Sequence, residues 1–83
     1  MSSMVSATVP DVWGEDKTLE GVIINWFFPE GARVLEGQVI AEGMVEKVTF
    51  EILSPAEGIL HILIPPDVPI KPGMAVAEIE AQG

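Results

Sequence analysis

Apolar residues occur in short runs along this chain, and the clearest of them alternate with polar residues at a period of two. Val48, Phe50 and Ile52 fall on one face of such a segment, and Thr49 and Glu51 fall on the other. A strand with this pattern has one buried and one solvated face, as in an antiparallel sheet. The same criteria predict strands at residues 4–9, 21–28, 38–42, 48–53, 58–64 and 75–79, with shorter extended pieces at 33–35 and 68–70.

Glycine and proline interrupt these segments at short intervals. The 83 residues include 8 Gly and 7 Pro, which recur too often for a helix of ordinary length. The pattern therefore predicts an all-β fold, with turns at residues 10–16, 29–31, 36–37, 43–46, 54–57, 65–67 and 71–73.

The strand pattern occurs twice. Residues 21–27 align with residues 58–64 at a spacing of 37, and residues 37–42 align with 73–78 at a spacing of 36. Neither half can bury its apolar face alone, so the duplication predicts two similar β layers related by an approximate two-fold axis. Under that symmetry the turn at Lys47 corresponds to the chain ends, and we expect the turn and the termini at opposite ends of the domain.

Composition limits the classes of function. The length predicts a single domain over residues 1–83, with a core at about 4–80. The net charge of −9 argues against partners such as nucleic acid or an anionic membrane. The chain has no cysteine, which excludes disulfides, thiol catalysis and iron–sulfur clusters. We expect no membrane span and no secretory signal, because no apolar run is long enough and no basic segment opens the chain.

Among the candidate side chains, Lys47 stands out by its context. Lys17 and Lys71 lie in polar turns, whereas Lys47 lies on or beside the tip of a predicted hairpin. Taken alone, a turn lysine is a solvated residue whose ion pairs contribute at most about 1 kcal/mol. His61 has no serine or cysteine partner in a catalytic pattern, which leaves no nucleophile–base pair for a hydrolase. The acidic residues of one loop lack the spacing of a calcium site, and we interpret them as a solvated face: Asp11, Glu15, Asp16 and Glu20.

Two segments around Lys47 carry a family resemblance. Residues 45–52 read VEKVTFEI and residues 54–58 read SPAEG, after VPDVWG at residues 9–14 and EGVI at residues 20–23. The chain resembles the lipoyl domain of 2-oxo acid dehydrogenase complexes, within the biotinyl/lipoyl attachment family. It departs from the usual family pattern in having Glu46 for Asp and Val48 for Ala beside the lysine. The turn at residues 65–67 also lacks the family's glycine.

This resemblance implies a barrel-sandwich hybrid, a flattened β-barrel of two antiparallel sheets, without a catalytic centre or metal of its own. Lys47 would carry lipoate in amide linkage, with Glu46 and Val48 as recognition flanks. The lipoyl arm would move acyl groups and reducing equivalents within a 2-oxo acid dehydrogenase complex, as part of a dihydrolipoamide acyltransferase. The implied partners are a lipoyl ligase or transferase, the 2-oxo acid dehydrogenase, the acyltransferase core and dihydrolipoamide dehydrogenase. We expect a monomeric domain in the cytoplasm, or in the mitochondrial matrix of a eukaryote.

Two alternatives remain open at this point. A biotin carrier domain shares the fold but has methionine on both sides of its lysine, and the flanks Glu46 and Val48 favour lipoate instead. A barrel-sandwich interaction module, like those of periplasmic adaptor subunits, would carry no cofactor and would not need Lys47.

Overall fold

The computed structural model describes residues 2–14 and 18–82, and these residues form eight strands and no helix. The described chain therefore has no helix long and apolar enough to cross a membrane. The strands are β1 (Ser2–Thr8), β2 (Gly21–Trp26), β3 (Arg33–Val34), β4 (Val39–Val45), β5 (Val48–Leu53), β6 (Gly58–Ile62), β7 (Pro69–Ile70) and β8 (Ala75–Gln82).

The strands form two antiparallel sheets of four, which confirms the predicted all-β class and is consistent with a barrel-sandwich hybrid. The strand order is β1-β8-β6-β3 in one sheet and β5-β4-β2-β7 in the other. Exchanging β1 with β5, β8 with β4, β6 with β2 and β3 with β7 converts one order into the other. The structure thus confirms the duplication, and the two halves exchange their short strands β3 and β7.

Equivalent glycines show how closely the halves correspond. A side chain at Gly21 would meet the carbonyl oxygen of Met44 at 2.9 Å, and one at Gly58 would overlap the carbonyl oxygen of Glu80. Both positions start a strand that lies tightly against its neighbour, so only glycine fits there.

A second pair of equivalent positions explains the missing glycine of the turn at 65–67. Gly31 has φ 85°, and Asp67, its counterpart 36 residues later, has φ 69°. The amide of Gly31 donates to the carbonyl of Leu60, and the amide of Asp67 donates to that of Ile23. Asp67 therefore adopts the left-handed backbone that glycine adopts in the first half.

The core lies between the sheets and is built mainly from aliphatic side chains. Its largest fully buried members are Ile23, Ile40, Ile52, Leu60, Ile70, Ile79, Val34 and Val76. Among the described residues no buried side-chain nitrogen or oxygen lacks a hydrogen-bond partner.

The structure corrects one predicted turn and shows where the tryptophans lie. Strand β4 continues to Val45, so the turn consists of Glu46 and Lys47 and not of the predicted residues 43–46. Trp13, in the loop after β1, is only 6% exposed and belongs to the core. Trp26 and Phe28 are partly buried against this core. Residues 15 and 16 of the predicted turn at 10–16 lie outside the described residues.

Candidate functional site

Lys47 lies at the tip of the β4–β5 hairpin, as expected. Val45 and Val48 are the last paired residues, so Glu46 and Lys47 alone make the turn. Lys47 is exposed and makes no ion pair in the described part of the chain. Its amine is therefore accessible on a turn whose backbone is held on both sides by a strand ladder.

Glu46 has a left-handed backbone with φ 55°. A residue with a side chain adopts this conformation at a cost of roughly 1–2 kcal/mol, which asparagine, aspartate and glycine reduce or avoid. The two-residue turn requires it, since a hairpin this short closes with positive φ at one or both central residues. The residue before the lysine is thus under backbone strain that fixes how the turn presents Lys47.

The inner face of the hairpin is anchored in the core. Val45 is 3% exposed and Phe50 is 7% exposed, and the ring of Phe50 lies 5.6 Å from that of Trp13. A side chain at Gly43 would stand 2.5 Å from the Phe50 ring, so the glycine lets this ring cross β4. The indole nitrogen of Trp13 donates to the carbonyl of Leu19 at 2.7 Å, which fixes the loop that carries the tryptophan. A rigid base thus supports the exposed tip.

Two carboxylates oppose each other on the outer face of the hairpin. Glu42 and Glu51 are direct partners in the β4–β5 register, and neither makes a salt bridge in the described residues. Like charges placed opposite each other destabilise a sheet by a few tenths of a kcal/mol to about 1 kcal/mol. The fold therefore tolerates negative charge close to Lys47 without neutralising it.

Val48, the second predicted flank, is 51% exposed although it continues the inward face of β5. Its position at the end of the strand leaves it uncovered, beside the exposed turn. Any protein that binds the tip would meet an acidic residue on one side of Lys47 and an apolar one on the other.

His61 is part of a bridge between carboxylates, and within the described residues both of its ring nitrogens contact these acids. Its Nδ1 lies 2.8 Å from Oε2 of Glu30, and its Nε2 lies 3.0 Å from Oε1 of Glu80. These carboxylates, first that of Glu80 and then that of Glu30, raise the pKa of His61. The backbone amide of Ile62 donates to Glu30 at 2.6 Å, and this bond, followed by that of His61, lowers the pKa of Glu30. The cluster ties the loop after β2 to strands β6 and β8.

The structure describes only some of the other candidate side chains. Lys71 is exposed in its turn, while Lys17, Glu15 and Asp16 lie outside the described residues. The described residues contain no group of three or more histidine or acidic side chains suited to a metal ion.

Sequence reasoning missed the role of Trp13 and the carboxylates around His61. Trp13 lies in an irregular loop where no periodicity indicates burial, and the only signal was that tryptophan is rarely left wholly in water. Glu30 and His61 are 31 residues apart, and Glu80 follows His61 by 19, so no local pattern could connect them.

Comparison with known proteins places this geometry in a family. The biotin/lipoyl family model, described as "Biotin-requiring enzyme", matches residues 8–80. The dihydrolipoyllysine-residue acetyltransferase component of the pyruvate dehydrogenase complex of Rickettsia prowazekii (strain Madrid E) is 39% identical over 67 residues. That match covers 76% of this chain and 16% of the relative, so this chain corresponds to a small part of the relative's length. The family model covers nearly all of the chain, and the chain therefore belongs to the biotin/lipoyl attachment family.

Proposed function

We propose that this domain is a lipoyl carrier and that Lys47 is its attachment residue. The observation that carries the proposal is the geometry of Lys47. This lysine is exposed, makes no ion pair with the described residues, and lies at the tip of a two-residue turn whose strands are anchored in the core. The similarity to an acetyltransferase component named for its dihydrolipoyl-lysine residue supports lipoate as the group.

The chain's own residues account for attachment and presentation. A lipoyl ligase would activate the carboxyl group of lipoate, and the amine of Lys47 would displace the activating group to form an amide. The amine gives up its proton in this step and loses its positive charge. The lipoyl group, when bound, supplies a dithiolane that opens reversibly to a dithiol and so carries acyl groups and electrons. The protein has no cysteine that could compete in thiol–disulfide exchange. Strands β4 and β5 hold the tip away from the core, and tethering raises the effective concentration of the arm at nearby active sites.

We further propose that this domain is part of a dihydrolipoamide acyltransferase and acts with the partners of that enzyme. These are a lipoyl ligase or transferase for modification, and the 2-oxo acid dehydrogenase, acyltransferase core and dihydrolipoamide dehydrogenase for the reaction cycle. The acidic outer face of the hairpin and the exposed Val48 are the features that such partners would contact.

Intact mass tests the proposal. After co-expression with a lipoyl ligase and lipoate, we expect one lipoyl adduct, which peptide mapping assigns to Lys47. Lys47→Arg should remove the adduct. Lys71→Arg is the matched control, because Lys71 is also an exposed turn lysine with no ion pair in the described residues, and it should leave the adduct in place.

A parallel expression with a biotin ligase and biotin separates the two cofactors of this family. Incorporation of biotin rather than lipoate would replace the lipoyl assignment by a biotin carrier. An unmodified chain in both expressions, or an adduct that survives Lys47→Arg, would contradict the proposed role of Lys47.

A further inference from the structure

Four uncharged residues form a row across the outer face of the sheet that carries Lys47. In the strand register Thr49 pairs with Met44, Met44 with Val22, and Val22 with Pro69. The neighbouring positions Val45 and Ile23 are buried, so the row faces outward. Thr49 and Met44 form the first outward pair behind the hairpin tip. We call these four residues the outer row.

The outer row is accessible. Thr49 and Pro69 are exposed, and Met44 and Val22 are half-buried. Beside the row, the register shift in β2 leaves Ile24 39% exposed. A strip of uncharged side chains, apolar from Met44 onward, therefore begins behind the tip and runs over all four strands of this sheet.

The approximate two-fold provides an internal comparison. The equivalent row of the other sheet consists of Met4, Glu80, Ile59 and Arg33. Arg33 pairs with Glu57, and Glu80 accepts from His61. The equivalent row, on the sheet that does not carry Lys47, thus contains one acidic and one basic side chain. The uncharged character of the outer row is consequently not required by the fold.

The dimensions of the outer row suit a lipoyl-lysine side chain. Three strand spacings separate β5 from β7, which amounts to about 14 Å. An extended chain advances about 1.3 Å per bond, so the roughly 11 bonds from the lysine Cα to the dithiolane ring also span about 14 Å. We infer that the outer row is a resting site for the lipoyl arm of this domain, an inference that rests on the proposed function of Lys47.

The charges near the tip make docking of the arm on the outer row depend on acylation of Lys47. The next outward pair beyond Met44 and Thr49 is Glu42 and Glu51, whose carboxylates attract the free amine of Lys47. Acylation removes that attraction and leaves an uncharged chain with an apolar ring. Such a group lowers its free energy by covering Met44 and Val22 and excluding water from them. The arm would leave this surface when an active site binds it more tightly.

Nuclear magnetic resonance of the lipoylated domain tests the inference. We expect nuclear Overhauser contacts from the arm's methylene and ring protons to the ε-methyl of Met44 and the methyls of Val22. Val22→Gln should remove most of the contact to Met44. Ile59→Gln is the matched control, since Ile59 holds the equivalent half-buried position on the other sheet, and it should leave the contacts unchanged.

Intact mass recorded on the same samples distinguishes the two ways of failing. A fully lipoylated domain without contacts to the outer row, or with contacts equally strong in Val22→Gln, would overturn the inference and leave the carrier function standing. A chain that takes up no lipoate would overturn the proposed function, and the resting site with it.

Discussion

At the scale of single residues, two positions with positive φ within residues 2–14 and 18–82 bear side chains that the backbone conformation disfavours. Glu46 is one, at the turn that presents Lys47, and Asp67 is the other, where the first half of the chain has Gly31. The cost at Asp67 is moderate, because aspartate tolerates the left-handed region better than most residues. At Glu46 the two-residue turn beside Lys47 overrides the backbone preference of the residue. At Asp67 the turn that corresponds to the Gly31 turn does so.

Replacing Asp67 should therefore stabilise the domain. We expect Asp67→Gly to raise the free energy of unfolding by a few tenths to about 1 kcal/mol, because relief of the left-handed strain exceeds the extra chain entropy of glycine. Urea denaturation measures this change. The reciprocal variant Gly31→Asp should lower stability, since it introduces the same strain at the equivalent turn. An unchanged or lower midpoint for Asp67→Gly would show that the aspartate contributes a compensating interaction.

The bridge at His61 predicts how stability depends on pH. The raised pKa of His61 means that its contribution is complete below about pH 6.5 and is lost as the pH rises through the folded-state value. The lowered pKa of Glu30 means that its contribution is present above about pH 4.3 and is lost as the pH falls through its folded-state value. Stability should therefore be highest between these limits.

Urea midpoints at about pH 5.5 and pH 8.5 measure the effect. The wild-type midpoint should be lower at the higher pH, and His61→Gln should reduce that difference. Equal pH dependence in the two proteins would assign the loss to another group.

At the scale of elements, the β4–β5 hairpin combines an anchored inner face with a strained turn and an acidic outer face. Its inner side chains Val45 and Phe50 are buried with Trp13, while Glu42 and Glu51 oppose each other outside. Sequence alternation predicted both strands and the inward positions of β5. It placed the end of β4 too early, because Gly43 was interpreted as a turn residue. The glycine is in fact required within the strand by the Phe50 ring.

Removing one of the opposed carboxylates should raise the stability of the domain and slow its recognition by the lipoylating enzyme. We expect Glu51→Gln to stabilise the domain by a few tenths of a kcal/mol, because it ends the like-charge repulsion with Glu42. The same variant should be lipoylated more slowly at low ionic strength, with the difference shrinking as salt screens the charges. Initial modification rates over a range of salt concentrations measure this.

Glu36→Gln is the control for this variant. It removes the same charge from the turn before β4, at the end of that strand away from the tip, and its rate should match that of wild type. A wild-type rate that does not depend on salt, or a Glu51→Gln rate equal to that of wild type at low salt, would contradict a role of the acidic face in encounter.

At the scale of the whole molecule, the exchange of short strands joins the two halves into one cooperative unit. Strand β3 of the first half pairs with β6, and β7 of the second half pairs with β2. Val34 and Ile70, at equivalent positions on these strands, are both fully buried. Neither sheet can therefore form from one half of the chain alone.

Truncating either side chain should destabilise the entire domain. We expect losses of about 1–3 kcal/mol for Val34→Ala and about 2–5 kcal/mol for Ile70→Ala, through lost burial and the cavities left behind. Urea unfolding followed by tryptophan fluorescence and by far-ultraviolet circular dichroism should give one coincident transition in each variant. Separate transitions would show that the halves unfold independently.

The sequence by itself determined the all-β class, the duplication and the location of Lys47 in a turn. These properties depend on alternation, glycine positions and spacing, which act over a few residues or repeat at a fixed interval. The tertiary structure decided the burial of Trp13 against Phe50, the carboxylates around His61 and the uncharged row behind the tip. Each of these features depends on contacts between residues that are distant in the chain. Strand register and sheet packing determine which residues come into contact.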